Sequence, residues 1–145
     1  MSDNTGKKAV VTGLGLICLV GTAVAPAWES LLAGQSGISR ISDFDVSKLA
    51  AQIAGRVPSD FDPSSYMPAK DIKKADVFIH YGVAAAEQAL KDAQFDTSDE
   101  TLLAHTGVFM GSGIGGLSLI EKTHKDYMQK EKKVSPFLFP APLSI

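Results

Sequence analysis

Six residues, Gly111-Ser112-Gly113-Ile114-Gly115-Gly116, restrict this chain more than any others. They stand between an apolar run, Gly107-Val108-Phe109-Met110, and a helical pattern that extends from Leu117 to Lys130. Glycine has no Cβ, so a glycine-rich link at this place reads as a strand-to-helix turn whose backbone approaches something closely. As a bare pattern Gly111, Gly113 and Gly116 satisfy G-x-G-x-x-G, the dinucleotide-binding fingerprint that seats a pyrophosphate on the following helix N-terminus. That fingerprint also needs a later strand ending in an acidic residue about 20 positions on. Glu131 fits the spacing, but Lys132-Lys133-Val134-Ser135-Pro136 behind it makes a poor central strand, because proline removes a ladder donor.

The chain has 145 residues, 45% of them hydrophobic, which suits one domain with a single core. Its 14 basic and 16 acidic residues leave a net charge of -2, so the strongly basic footprint of a nucleic-acid binder is missing. One cysteine, Cys18, cannot close an internal disulfide, and no Cys/His spacing resembles a zinc site. A reducing compartment, the cytoplasm, is the expected setting, with no metal and no cofactor.

The N-terminus imitates a signal peptide: Lys7-Lys8, an uncharged run from Ala9 to Trp28, and Ala23-Val24-Ala25 near its end. Gly13, Gly15 and Gly21 argue against it, since each glycine costs a helix about 1 kcal/mol relative to alanine. The run divides better into a buried parallel strand over Lys8 to Thr12, a tight turn at Gly13-Leu14-Gly15, and a helix from Val24. Val24, Trp28, Leu31 and Leu32 give that helix an apolar face, and Gly34 is placed to stop it. No membrane association is expected.

Residues 35–68, with Pro58, Pro63, Pro68 and scattered apolar runs, read as an irregular surface excursion. A second helix is expected from about Lys70 to Asp92, its apolar side carrying Ala75, Phe78, Ile79, Gly82, Ala85, Ala86, Ala89 and Leu90. Lys70, Lys73 and Lys74 fall in its first turns, where cations oppose the helix dipole by about 0.3 to 1 kcal/mol each. A solvated face is the plain explanation of such a row; an anionic partner would account for its position. A loop over Phe95 to Thr101, a buried strand over Thr106 to Met110 and a third helix from Leu117 complete the pattern. The order indicates α/β with an incomplete parallel sheet, and two strands cannot cover three amphipathic helices, so apolar surface is left open.

Five segments in order carry a resemblance: Ala9-Val10-Val11-Thr12-Gly13-Leu14-Gly15, Trp28 to Ile38, Phe78-Ile79-His80-Tyr81-Gly82, Gly111 to Gly116, and Val134-Ser135-Pro136-Phe137. Together they resemble the N-terminal portion of the β-ketoacyl-[acyl-carrier-protein] synthases of the type II elongating kind, over nearly all of residues 1–145. The resemblance implies the thiolase-like fold, a homodimer, and decarboxylative condensation of malonyl-carrier protein with an acyl chain in fatty acid synthesis. The family uses a cysteine nucleophile and two histidines, whose positions lie beyond Phe137 and outside these residues. No catalytic residue is therefore expected here, and Cys18, His80, His105 and His124 are read as structural or surface residues. By position Lys70, Lys73 and Lys74 match the basic segment that receives the acidic acyl-carrier protein. Ile114 matches the apolar residue that gates the acyl pocket, with Gly113 beside it giving it room to move, and Phe137 matches the far end of that pocket near the dimer partner. A non-catalytic fragment that binds carrier protein or dimerises is the alternative of a different class. Cys18-Leu19 and Pro142 depart from the family pattern.

Overall fold

The computed structural model describes residues 6, 8–130 and 133. In chain order they form α1 (Val24–Leu32), β1 (Ile38–Arg40), β2 (Ile53–Gly55), a 3-10 turn (Pro63–Ser65), α2 (Ala69–Ile72), α3 (Val77–Asp92), α4 (Glu100–Ala104) and α5 (Leu117–Lys130). Helix and sheet are mixed as the sequence predicts, but the sheet differs from expectation. Among the described residues it consists of β1 and β2 alone, antiparallel, with Ile38 opposite Gly55 and Arg40 opposite Ile53. The excursion over 35–68 thus holds a short strand pair and a 3-10 turn.

Neither expected parallel strand, 8–12 or 106–110, is assigned as one. A strand exists through its ladder, and the described residues give neither segment a neighbour. Residues 13–16 instead run along α3, and two of their N–H groups are satisfied on its side chains. The Leu14 amide donates to Asp92 Oδ2 at 2.8 Å, and the Leu16 amide to Gln88 Oε1 at 3.2 Å. This corrects the reading of Gly13-Leu14-Gly15 as a tight turn. Both glycines are there for close approach: a Cβ on Gly13 would lie 2.6 Å from the Ala93 nitrogen, and one on Gly15 2.9 Å from the Ala89 nitrogen and on top of the Ala85 carbonyl. The turn comes later, where Cys18 and Gly21 pair, the Cys18 amide donating to the Gly21 carbonyl at 2.9 Å.

The expected helix from Lys70 to Asp92 is two helices. The chain leaves α2 after Ile72, and Asp76 begins α3 by accepting the Val77 N–H on Oδ1 at 2.6 Å. Once a carboxylate takes an amide at the front of a helix, the backbone before it is no longer helical. His80, buried on α3, bonds through Nε2 to the Ile72 carbonyl at 3.1 Å, bracing the end of α2 against the longer helix. Further along α3, Gln88 Nε2 donates to the Thr22 carbonyl at 2.9 Å and to the Tyr66 hydroxyl at 3.2 Å. Phe61 packs edge-on against Tyr81 with centroids 5.2 Å apart and lies parallel to Tyr66 at 6.2 Å. The 3-10 turn that presents Tyr66 is capped by Asp62. The Ser64 hydroxyl and amide hold that carboxyl below the usual carboxylate range. Such a group contributes above the ordinary carboxylate pKa and ceases to as pH falls through the depressed value, so acid loosens this turn.

Both α1 and α3 end in Schellman motifs. For α1 the Gln35 amide returns to the Ser30 carbonyl at 2.9 Å and the Gly34 amide to Leu31 at 3.0 Å, with Gly34 at φ 67°, the stop expected from sequence. For α3 the equivalent bonds run from Phe95 to Leu90 and from Gln94 to Lys91, but the left-handed position, φ 51°, is held by Gln94. The segment read as a loop over 95–101 turns into α4, whose N-terminus Asp99 caps by accepting the Thr101 and Leu102 amides at 2.9 and 3.1 Å.

Little of this is buried. Ala27, Val46 and Ala84 are the buried hydrophobic residues among those described, whereas Trp28, Leu31 and Leu32 on the expected apolar face of α1 are 56–70% exposed. Among the described residues no helix is long and apolar enough to cross a membrane.

Two substitutions test these contacts by urea denaturation. Gly15→Ala, which drives a methyl into the α3 backbone, should lower stability by about 3 kcal/mol. Gln94→Gly, which relieves the left-handed position, should raise it by about 1 kcal/mol.

Candidate functional site

Of the residues singled out by sequence, the lysines and the glycine turn fall at one end of α3. Lys70 is in α2, Lys73 follows its last residue, and Lys74 lies in the link before Asp76; all three are exposed. They precede α3 rather than occupying its first turns, so the dipole conflict inferred from sequence does not arise. The N-terminus of α3 has the anion it favours in Asp76.

The glycine turn lies over the same end. Met110 Sδ is 3.3 Å from where a Cβ of Gly82 would be, and a Cβ on Gly115, which has φ 77°, would lie 3.8 Å from the Phe78 ring. The Ser112 hydroxyl accepts the Gly115 N–H at 3.1 Å and folds the turn on itself. A Cβ on Gly113 would meet nothing within 4 Å, and Ile114 is 78% exposed. Both therefore have the open space that movement requires. Phe137 lies outside the described residues.

What joins the lysine segment to the glycine turn is a residue that the sequence reading passed over. Asp76 Oδ1 caps α3, and its Oδ2 accepts the Leu119 N–H of α5 at 3.0 Å. One carboxylate thereby serves the N-termini of two helices. Its signal was available: Asp76 stands directly before the apolar run Val77-Phe78-Ile79, the usual place of a helix cap. Gln88 was also missed, and a lone amide on the small-residue side of α3 was the available sign of a half-buried polar hub.

This geometry bears on the dinucleotide reading. A pyrophosphate would bind the free amides at the start of α5, where a carboxylate is already bonded to one of them. Nor do the histidines and the cysteine converge on a reaction centre by the bonds they make. His80 and His105 are bonded to backbone carbonyls, the latter through Nδ1 to Thr101 at 2.8 Å, His124 is exposed on α5, and Cys18 sits in the early turn, half-buried. Among the described residues no group of three His, Cys, Asp or Glu could hold a metal ion.

The family described as Beta-ketoacyl synthase, N-terminal domain, matches residues 7–144. The chain belongs to this family. It is 46% identical over 136 residues to 3-oxoacyl-[acyl-carrier-protein] synthase 2 of Vibrio cholerae, covering 93% of this chain and 32% of that protein. With the proteins of the same name from Coxiella burnetii and Staphylococcus aureus (strain N315) it shares 40% over 135 residues and 38% over 141. These matches cover 92% and 97% of this chain, and 32% and 33% of those proteins. The fold is similar to that of the ishigamide ketosynthase/chain length factor, with a TM-score of 0.68 and 27% identity over 89% of this chain and 32% of that one. The chain thus spans about a third of the length of the relatives it matches. Family membership displaces the dinucleotide reading.

Asp76→Ala removes both capping bonds and should lower stability by about 2 to 3 kcal/mol, read from urea midpoints, while Ile114→Ala, at an exposed position, should change it by less than about 0.5 kcal/mol.

Proposed function

We propose that this chain is the N-terminal part of a β-ketoacyl-[acyl-carrier-protein] synthase of the cytoplasm that elongates acyl chains in fatty acid synthesis. The observation that carries the reading is the 46% identity across 93% of the chain to a 3-oxoacyl-[acyl-carrier-protein] synthase 2. In this reading the enzyme condenses malonyl-carrier protein with an enzyme-held acyl group, losing carbon dioxide, and works as a homodimer. The nucleophilic cysteine and two histidines of the family occupy positions beyond Phe137. What these residues supply is reception and shape.

Lys70, Lys73 and Lys74 receive the acidic face of the carrier protein. Three exposed ammonium groups on flexible stems suit an encounter that must form and dissolve each cycle, since exposed charges steer association more than they add affinity. Ile114, on a turn with open space around Gly113, gates the acyl pocket, and Phe137 closes its far end. The supporting observation is the placement of lysines and turn at one end of α3, so that an acyl chain delivered at the first would arrive near the second.

A fragment that binds carrier protein without catalysis is favoured by one observation, the extent of exposed apolar surface, which marks an interaction face. One measurement tests the docking that both readings share, and a second separates them. Reversing the charges in Lys70→Glu, Lys73→Glu and Lys74→Glu together should weaken carrier-protein binding by about tenfold or more and flatten its salt dependence; unchanged affinity would refute the docking assignment. The native protein isolated from its source cells should form 3-oxoacyl-carrier protein from malonyl- and acyl-carrier proteins, and carrier binding without that product would leave the non-catalytic reading standing.

A further inference from the structure

We infer that Asp76 is a positioning residue that holds the lysine segment and the Ile114 turn in one register, so that a load on the first is felt at the second. This rests on the function proposed above, in which the lysines take the carrier protein and Ile114 gates the acyl pocket. Capping of α3 needs one oxygen of Asp76, and Oδ1 meets it with the Val77 amide. The second oxygen reaches across to Leu119, 43 residues away in sequence, and local capping gives no reason for that bond. A second contact points the same way. A Cβ on Gly116 would fall 2.7 Å from Asp76 Oδ2 and 3.2 Å from Cγ, so the last residue of the glycine turn is pressed against the carboxylate and only glycine fits there.

The segments on either side are built to pass a displacement on. On the lysine side the link is short and tied back: the Lys74 and Ala75 amides both donate to the Asp71 carbonyl, at 3.1 and 2.9 Å. The His80 bond to the Ile72 carbonyl braces α2 a second time. A push on Lys73 or Lys74 therefore moves Asp76 rather than dissipating in slack backbone. On the turn side the arrangement is the reverse. Gly113 has open space around it and Ile114 is exposed, while Gly116 and Leu119 are pinned. A turn loose in its middle and fixed at one end takes its position from that end. A charge-assisted bond between carboxylate and amide is the stronger kind of hydrogen bond, which suits a fixed point.

The test is an NMR titration of the 15N-labelled chain with holo-acyl-carrier protein, following the amides of Lys70 to Val77 and of Ser112 to Leu119. In the wild-type chain both groups should shift along one saturation curve. Asp76→Ser keeps a hydroxyl to cap α3 but is too short to serve α5 as well. Gly116→Ala keeps the aspartate at 76 and forces a methyl against its Oδ2. In each variant the lysine segment should still saturate with an affinity within about twofold of wild type, while the response of the turn falls about fivefold or more. If Asp76→Ser does not fold, Gly116→Ala decides alone. A turn that never responds in the wild-type chain while the lysine segment does, or that responds equally in the variants, overturns the inference and leaves the function standing. Absence of any carrier binding by the wild-type chain overturns the function, and this inference with it.

Discussion

Polar side chains along one helix, rather than a hydrophobic core, hold the described part of this chain together. Asp76 at the head of α3, Gln88 in its fourth turn and Asp92 at its end take amides from Leu119, Leu16 and Leu14, and Gln88 reaches Thr22 and Tyr66 as well. With Ala27, Val46 and Ala84 as the buried hydrophobic residues, apolar burial is too small to choose among arrangements of the segments. Directional bonds choose instead. Where another segment lies flush against α3 the fit is set by glycine, at Gly13 and Gly15 along its C-terminal half and at Gly116 beside its cap.

The apolar residues are present in number but face outward. Val108, Phe109, Met110, Ile114, Leu117 and Met128 are all more than half exposed, Phe109 almost entirely. Apolar area left in water, at about 25 cal/mol per Å², is an unrealised driving force for association. The chain matches one part of proteins about three times as long. Residues 106–110 have the composition of a buried strand, but without a ladder on either side that composition cannot by itself produce one.

Helices were legible where their pattern is local. The ends of α1 and α5 follow from apolar spacing and from Gly34, which act within a few residues. The strands were not, because pairing depends on segments distant in sequence, and the same holds for the glycines. Gly13 and Gly15 look like a turn in isolation, and only the arrival of α3 shows that they are a contact. The family was legible because the order and spacing of five weak motifs are specific together, although each alone is punctuation around an apolar run. Asp76 was overlooked because apolar periodicity across residues 70–92 continues through the link. Periodicity records which face is apolar and does not register a break that preserves the face, whereas the capping carboxylate does.

The break changes the electrostatic argument as well as the helix count. Were the lysines in the first turn of a long helix, the dipole would repel them, and an anionic partner would be needed to make the arrangement favourable. Placed before Asp76, they precede α3, whose positive end is already matched by a carboxylate. An anion docking here would therefore be drawn by lysine side chains rather than by a helix dipole, which is the weaker and more salt-sensitive form of recognition.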